Sequence, residues 1–99
     1  MASFKELIQS EKPVLIDFHA DWCQPCKVLG PIVQQVKAKM GARVSVLKID
    51  VDRNPQLAQK LNIQGVPTLM IYRSGEQKWR QSGVLSAEAI IQQLEYFGA

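Results

Sequence analysis

Both cysteines of the chain fall within Trp22-Cys23-Gln24-Pro25-Cys26-Lys27, where an apolar, strand-like run meets a helical pattern. In thiol-disulfide exchange a thiolate attacks a disulfide sulfur and a second thiol resolves the mixed disulfide, so an exposed cysteine with one neighbour is the minimum machinery. As a structural staple the pair is poor, because a loop closed over two intervening residues constrains the unfolded chain very little. The rest of the chain therefore reads as a holder for two thiols, and a fold for it must deliver a strand end and a helix start to one place.

Ninety-nine residues, 46% hydrophobic and 21% charged, predict one compact domain over residues 1–99. Twelve basic against nine acidic residues leave a formal charge of +3, and the basic residues are scattered without a run. Nucleic-acid binding finds no support in that pattern. Met1-Ala2-Ser3-Phe4-Lys5-Glu6 lacks the apolar core of a signal peptide, and no apolar stretch has the length to span a bilayer. The expectation is a soluble, cytoplasmic chain that makes no use of a membrane.

Ser3-Phe4-Lys5-Glu6 has the form of a capping box, opening a short helix with Phe4, Leu7 and Ile8 that Pro13 prevents from continuing. Val14 to Phe18 is almost continuously apolar, as in a strand covered on both faces, with Asp17 inside it on the side of Leu15. Val28, Leu29, Ile32, Val33, Val36 and Met40 then recur at helical spacing up to Gly41, with Pro31 in the interior predicting a kink. Val44 to Val51 reads as a second buried strand, and Asn54-Pro55 as the cap and first residue of a short helix carrying Leu57 and Leu61. Thr68 to Tyr72 is a strand, Ser74-Gly75 turns it into an antiparallel partner around Lys78 to Ser82, and Gly83 closes the hairpin. Ser86 caps a last helix with Ile90, Ile91, Leu94 and Phe97. The order is helix, strand, helix, strand, helix, strand, strand, helix, an α/β chain with a mixed sheet flanked by helices and two crossovers of a length suited to strand-helix-strand units.

A helix starting just after Cys23 aims its unpaired N–H groups at that sulfur and stabilises the thiolate, which makes Cys23 the expected nucleophile. Cys26 lies on the same face one turn deeper, more shielded, and is the expected resolving thiol. Pro25 presets the first turn, Gln24 contributes an ordinary side chain, and Trp22 adds either a flat surface beside the sulfur or core filling. Metal binding is disfavoured because structural zinc takes four ligands, whereas two thiols and His19 make three. His19 itself reads as a packed or solvated ring at a strand end.

With these residues in place the chain resembles a thioredoxin, through Asp17-Phe18-His19-Ala20-Asp21-Trp22-Cys23-Gln24-Pro25-Cys26-Lys27, Pro31, Asp50-Val51-Asp52, Gly65-Val66-Pro67-Thr68-Leu69 and Gly83. The match runs over nearly the whole chain in order. The resemblance implies a protein-disulfide reductase working through a reversible Cys23-Cys26 disulfide, without a metal or other cofactor, on disulfide-containing proteins, and recharged by a thioredoxin reductase. It places the family's buried carboxylate at Asp17 and its neighbouring lysine at Lys48. The carboxylate assignment agrees with the residue-level reading, since a desolvated Asp has a raised pKa and could exchange a proton with Cys26. The family's cis-proline falls on Pro67, although X-Pro bonds as a class favour trans. With Trp22, Pro25, Val66 and Gly83 it implies a surface that takes an extended substrate segment by strand addition. The sequence departs from the pattern in starting at the first helix, which implies a four-stranded sheet with four helices, lacking the usual N-terminal strand, and an exposed sheet edge. A monomer is expected, with that edge as a route to self-association. His19 stands where many members carry tryptophan, and Gln24 where glycine is usual. An oxidant or disulfide isomerase on the same fold, a non-catalytic binding module, and a metal or cluster shared between two chains are the alternatives.

Overall fold

The computed structural model describes residues 3–99. Helix α1 (Phe4–Leu7) starts on the expected capping box, with the Ser3 side chain accepting from the Glu6 N–H and the Glu6 carboxylate accepting from the Ser3 N–H at 3.1 Å. Strands β1 (Val14–His19), β2 (Ser45–Asp50), β3 (Thr68–Arg73) and β4 (Glu76–Ser82) form one sheet in the order β2-β1-β3-β4. Helices α2 (Gln24–Met40), α3 (Pro55–Lys60) and α4 (Ala87–Tyr96) complete the layers. This is the thioredoxin-type α/β arrangement anticipated from the sequence, a mixed four-stranded sheet with four helices.

The apolar run Val14–Phe18 is buried throughout because β1 is central and covered on both sides. Leu15, Leu69 and Ile71 meet Leu29, Val33, Val36 and Met40 of α2 and Ile90 and Leu94 of α4 on one face. Val14, Ile16, Phe18 and Met70 meet Ile8 on the other, with Phe4, Leu57 and Leu61 packed against them. Asp17 alternates with Ile16 and Phe18 and so points to the α2 side, where Leu15 also points.

Four expectations change. β2 is half-buried, not a buried core strand, because it forms the edge of the sheet and pairs only with β1. Only the β1-α2-β2 crossover joins parallel strands; the chain leaving α3 enters β3 antiparallel to β1. Val28 is an exposed residue of α2 and takes no part in the core. Asn54 precedes α3 without capping it through its side chain, which instead donates to the Asp50 carbonyl at 2.9 Å. Pro31 lies inside α2, and the helix runs through it from Gln24 to Met40.

The β3-β4 hairpin turns on Ser74 and Gly75, with φ of 53° and 82°, the two positive values of a primed hairpin turn. Their N–H groups donate to the Ser10 and Ile8 carbonyls, tying the hairpin tip to the segment after α1. Ser86 caps α4 by accepting from the Ala89 N–H at 3.1 Å.

Candidate active site

The end of β1 and the start of α2 meet where Cys23 and Cys26 are joined in a disulfide with their Cα atoms 5.3 Å apart. Cys23 is the N-cap of α2, and its sulfur accepts from the Cys26 N–H at 3.1 Å. That bond puts sulfur where a Ser or Asp cap would put oxygen, at the positive end of the helix. Pro25 occupies the first turn, where a missing N–H costs no helical hydrogen bond.

The cysteines form a small cluster with Ala20, against which Val51 and Val66 pack. Exposure is 2% for Cys23 and 7% for Cys26, so the expected greater shielding of Cys26 is not found in the disulfide form. Burial under the flanking loops leaves Cys23 closed over. What distinguishes the two sulfurs is the surroundings: Cys26 lines a cleft of about 870 Å³ together with Asp17, His19, Asp21, Lys27 and Lys48.

Asp17 is 1% exposed, and neither carboxylate oxygen has a hydrogen-bond partner. Burial raises its pKa above the ordinary Asp value, while the positive charges of His19 and then Lys48 pull in the opposite direction. Lys48 stands opposite Asp17 in the β1-β2 register, and its ammonium lies 3.9 Å from the place a Cβ on Gly30 would occupy. It thus reaches over α2 toward the cleft as an exposed cation, not as a bonded partner of Asp17.

On the other side of the motif Trp22 is 69% exposed, which rules out the core-filling reading. Its indole N–H donates to Asp52 Oδ2 at 2.8 Å, and Asp52 is held by its own N–H donating to Asp50 Oδ1 at 2.8 Å. Trp22 and Val66 line a second cleft of about 450 Å³ with Val51, Ile63 and Gly65. The Val66-Pro67 bond is cis. Gly83 donates its N–H to the Pro67 carbonyl at 3.0 Å and has φ of 94°, a conformation that strains any residue with a side chain. Trp22, Val66, Pro67 and Gly83 thus belong to loops and Pro25 to the first turn of α2, whereas Asp17 and Lys48 lie on the α2 side of the sheet.

The residue that sequence reasoning underrated is His19. Its spacing of two from Asp17 on one strand already places both on one face, and the structure puts it in the same cleft. The imidazole and the Asp21 and Asp50 carboxylates bring one N or O atom each within 4.8 Å of one another. Asp50 spends Oδ1 on the Asp52 and Arg53 N–H groups and faces Arg53 Nε at 3.8 Å through Oδ2. Asp50 is thus committed to Arg53 and the turn N–H groups, and the trio falls short of the four-ligand set of a structural zinc.

The thioredoxin family model matches residues 1–96. A thioredoxin-like protein of Synechocystis sp. is 42% identical over 97 residues, covering 97% of this chain and 92% of that protein. The thioredoxin of Rickettsia bellii is 38% identical over 88 residues, covering 89% of this chain and 84% of its own. Among solved structures, chloroplastic thioredoxin z superposes with a TM-score of 0.81 at 38% identity, over 88% of this chain and 79% of that one.

Proposed function

The chain belongs to the thioredoxin family and is a thiol-disulfide oxidoreductase, and from that premise we propose that it acts as a reductase of protein disulfides through the Cys23-Cys26 pair. One observation carries the reading: the disulfide sits at the N-cap of α2, and Cys26 lines one cleft with a buried, unpartnered carboxylate. Each half of that arrangement serves one half of the reaction.

In the reduced protein the helix N-terminus and the Cys26 N–H stabilise negative charge on Cys23, which attacks a substrate sulfur and releases the other substrate sulfur as a thiolate. The mixed disulfide then has to be opened from the protein side. Cys26 gives its proton to the Asp17 carboxylate, its sulfur bonds to Cys23, and the bond between Cys23 and the substrate breaks with the electron pair leaving on the substrate. The dithiol is oxidised by two electrons and the substrate disulfide is reduced by two. A carboxyl pushed up by burial suits the base, since its affinity for a proton lies closer to that of a thiol. Lys48 moderates that charge from the neighbouring strand.

Trp22, Pro25, Val66, Pro67 and Gly83 surround the disulfide as the surface for an extended substrate segment, a contact made with backbone that tolerates varied sequences. Disulfide-containing proteins are the substrates and a thioredoxin reductase restores the dithiol, so the chain carries electrons from one to the other. The protein works as a monomer over one domain, in the cytoplasm, without a bound cofactor. The proposed reaction calls on neither nucleic acid nor a membrane. No helix among the described residues is long and apolar enough to cross a bilayer.

The test is precipitation of reduced insulin in the presence of dithiothreitol. Wild-type protein should shorten the lag and steepen the turbidity rise, and Cys23→Ser should behave as dithiothreitol alone. Equal acceleration by Cys23→Ser would rule the reading out.

A further inference from the structure

We infer that His19 is the group through which Asp17 exchanges its proton with solvent, a positioning residue that acts on Cys26 only through that carboxylate. The inference rests on the reading of Asp17 as the base for Cys26 and adds to it a route for the proton. Asp17 is 1% exposed and hydrogen-bonded to nothing among the described residues, so exchange of its proton with solvent runs through a neighbour. A proton taken from Cys26 stays on the carboxylate until the disulfide is reduced again, unless such a neighbour carries it away.

His19 is placed to take it. Spaced by two on β1, its side chain leaves the same face of the strand as that of Asp17, and both line the cleft that Cys26 enters. Asp17 is at the closed end and His19 is half-exposed. On its outer side an imidazole nitrogen lies within 4.8 Å of oxygens of Asp21, an exposed residue, and Asp50. The ring thus shares its cleft with a dry carboxylate and lies beside an exposed one.

The other charged groups around the cleft suit the task less well. They are Lys48 and Asp50 from β2, Asp21 from the loop before α2, and Lys27 from α2 itself. Ammonium and exposed carboxylate groups as types hold one protonation state through the neutral range, while imidazole takes and gives a proton between about pH 5 and 8. The electrostatics agree, since among the charges opposing the burial effect on Asp17, His19 contributes more than Lys48.

The sequence of events is balanced. Cys26 gives its proton to Asp17 as its sulfur bonds to Cys23 and the substrate sulfur departs with the electron pair. Asp17 passes the proton through water in the cleft to His19 in its neutral form, and the imidazolium loses it to solvent beside Asp21, where the departing thiolate is protonated. The carboxylate is then ready for the next turnover.

The experiment is reduction of a one-disulfide peptide over many turnovers across pH, with dithiothreitol restoring the dithiol, for wild type, Asp17→Asn, His19→Gln and His19→Ala. Asp17→Asn should lose one limb of the rate profile. In His19→Gln that limb should move to higher pH, because a cation that favoured the ionised carboxylate is gone, and the rate at neutral pH should fall on the order of tenfold, below the 10²- to 10⁴-fold of a direct acid-base catalyst. Free imidazole should restore the rate of His19→Ala in proportion to its basic form. A carboxyl-carbon NMR titration of Asp17 in folded His19→Gln should show the same upward displacement without turnover. An unmoved limb in His19→Gln with no response of His19→Ala to imidazole overturns the role of His19 alone. Survival of the limb in Asp17→Asn overturns the base itself, and the role of His19 with it.

Discussion

Asp17 is a charged residue type placed in a run otherwise as dry as Leu15 and Phe18, and burial without a partner is costly for the ionised form. With its pKa raised, the folded state holds the Asp17 proton more tightly than the unfolded chain does. The contribution of this group to stability is therefore largest below the ordinary Asp value and falls as pH rises through the folded one. Asp17→Asn should accordingly raise the melting temperature at neutral pH, by about 4–8 °C for each kcal/mol relieved, and the gain should vanish in acid. Thermal denaturation of both proteins across pH reads this directly. At the same scale, much of the site was visible in the sequence: the cysteine spacing, the helix start behind Cys23 and the carboxylate in an apolar strand are all local patterns. The exposure of Trp22 and the burial of Cys23 were not, because they depend on Asp52, Val51 and Val66, residues distant in the chain.

Among the elements, α2 ties the site to the core. Its inward stripe of Leu29, Val33, Val36 and Met40 is fixed against the sheet and α4, while its first turn holds Cys23 and Cys26. Leu29→Ala should cost about 2–5 kcal/mol in urea denaturation, a large share of the roughly 5–15 kcal/mol of a whole domain, because the side chain is fully buried. Val28→Ala, one position along and 58% exposed, should change stability by less than about 0.5 kcal/mol. Helical periodicity alone had grouped Val28 with the core residues; the two lie about 100° apart on the helix, and only packing decides where the apolar stripe ends. Ser86→Ala should cost about 1 kcal/mol through loss of the α4 cap. The caps at Ser3 and Ser86 were legible because they are contained in four residues. The edge position of β2 was not, since nothing within Ser45 to Asp50 says which strands flank it until the strand order is known.

At the scale of the molecule, one sheet with helices on both faces holds the disulfide at the end of β1, between the cleft with Asp17 and the cleft with Trp22. The order of elements could be read from the chain, whereas the antiparallel entry of β3 could not, because the segment between α3 and β3 is as compatible with either direction. The edge strand β2 carries exposed Lys48 at its middle, a charge that opposes pairing with another edge. Light scattering should therefore give the mass of one chain of 11.1 kDa, and X-ray scattering a compact particle close to the 12.5 Å radius of gyration of the Cα trace. The division of labour between the two sulfurs is the centre of the account, and it is tested by intact-mass analysis of Cys26→Ser after mixing with a one-disulfide peptide. A stable adduct of one peptide per chain, bonded at Cys23 and released by dithiothreitol, is predicted, with no such adduct from Cys23→Ser. An adduct on Cys26 in Cys23→Ser, with none on Cys23 in Cys26→Ser, would reverse the order of attack and contradict it.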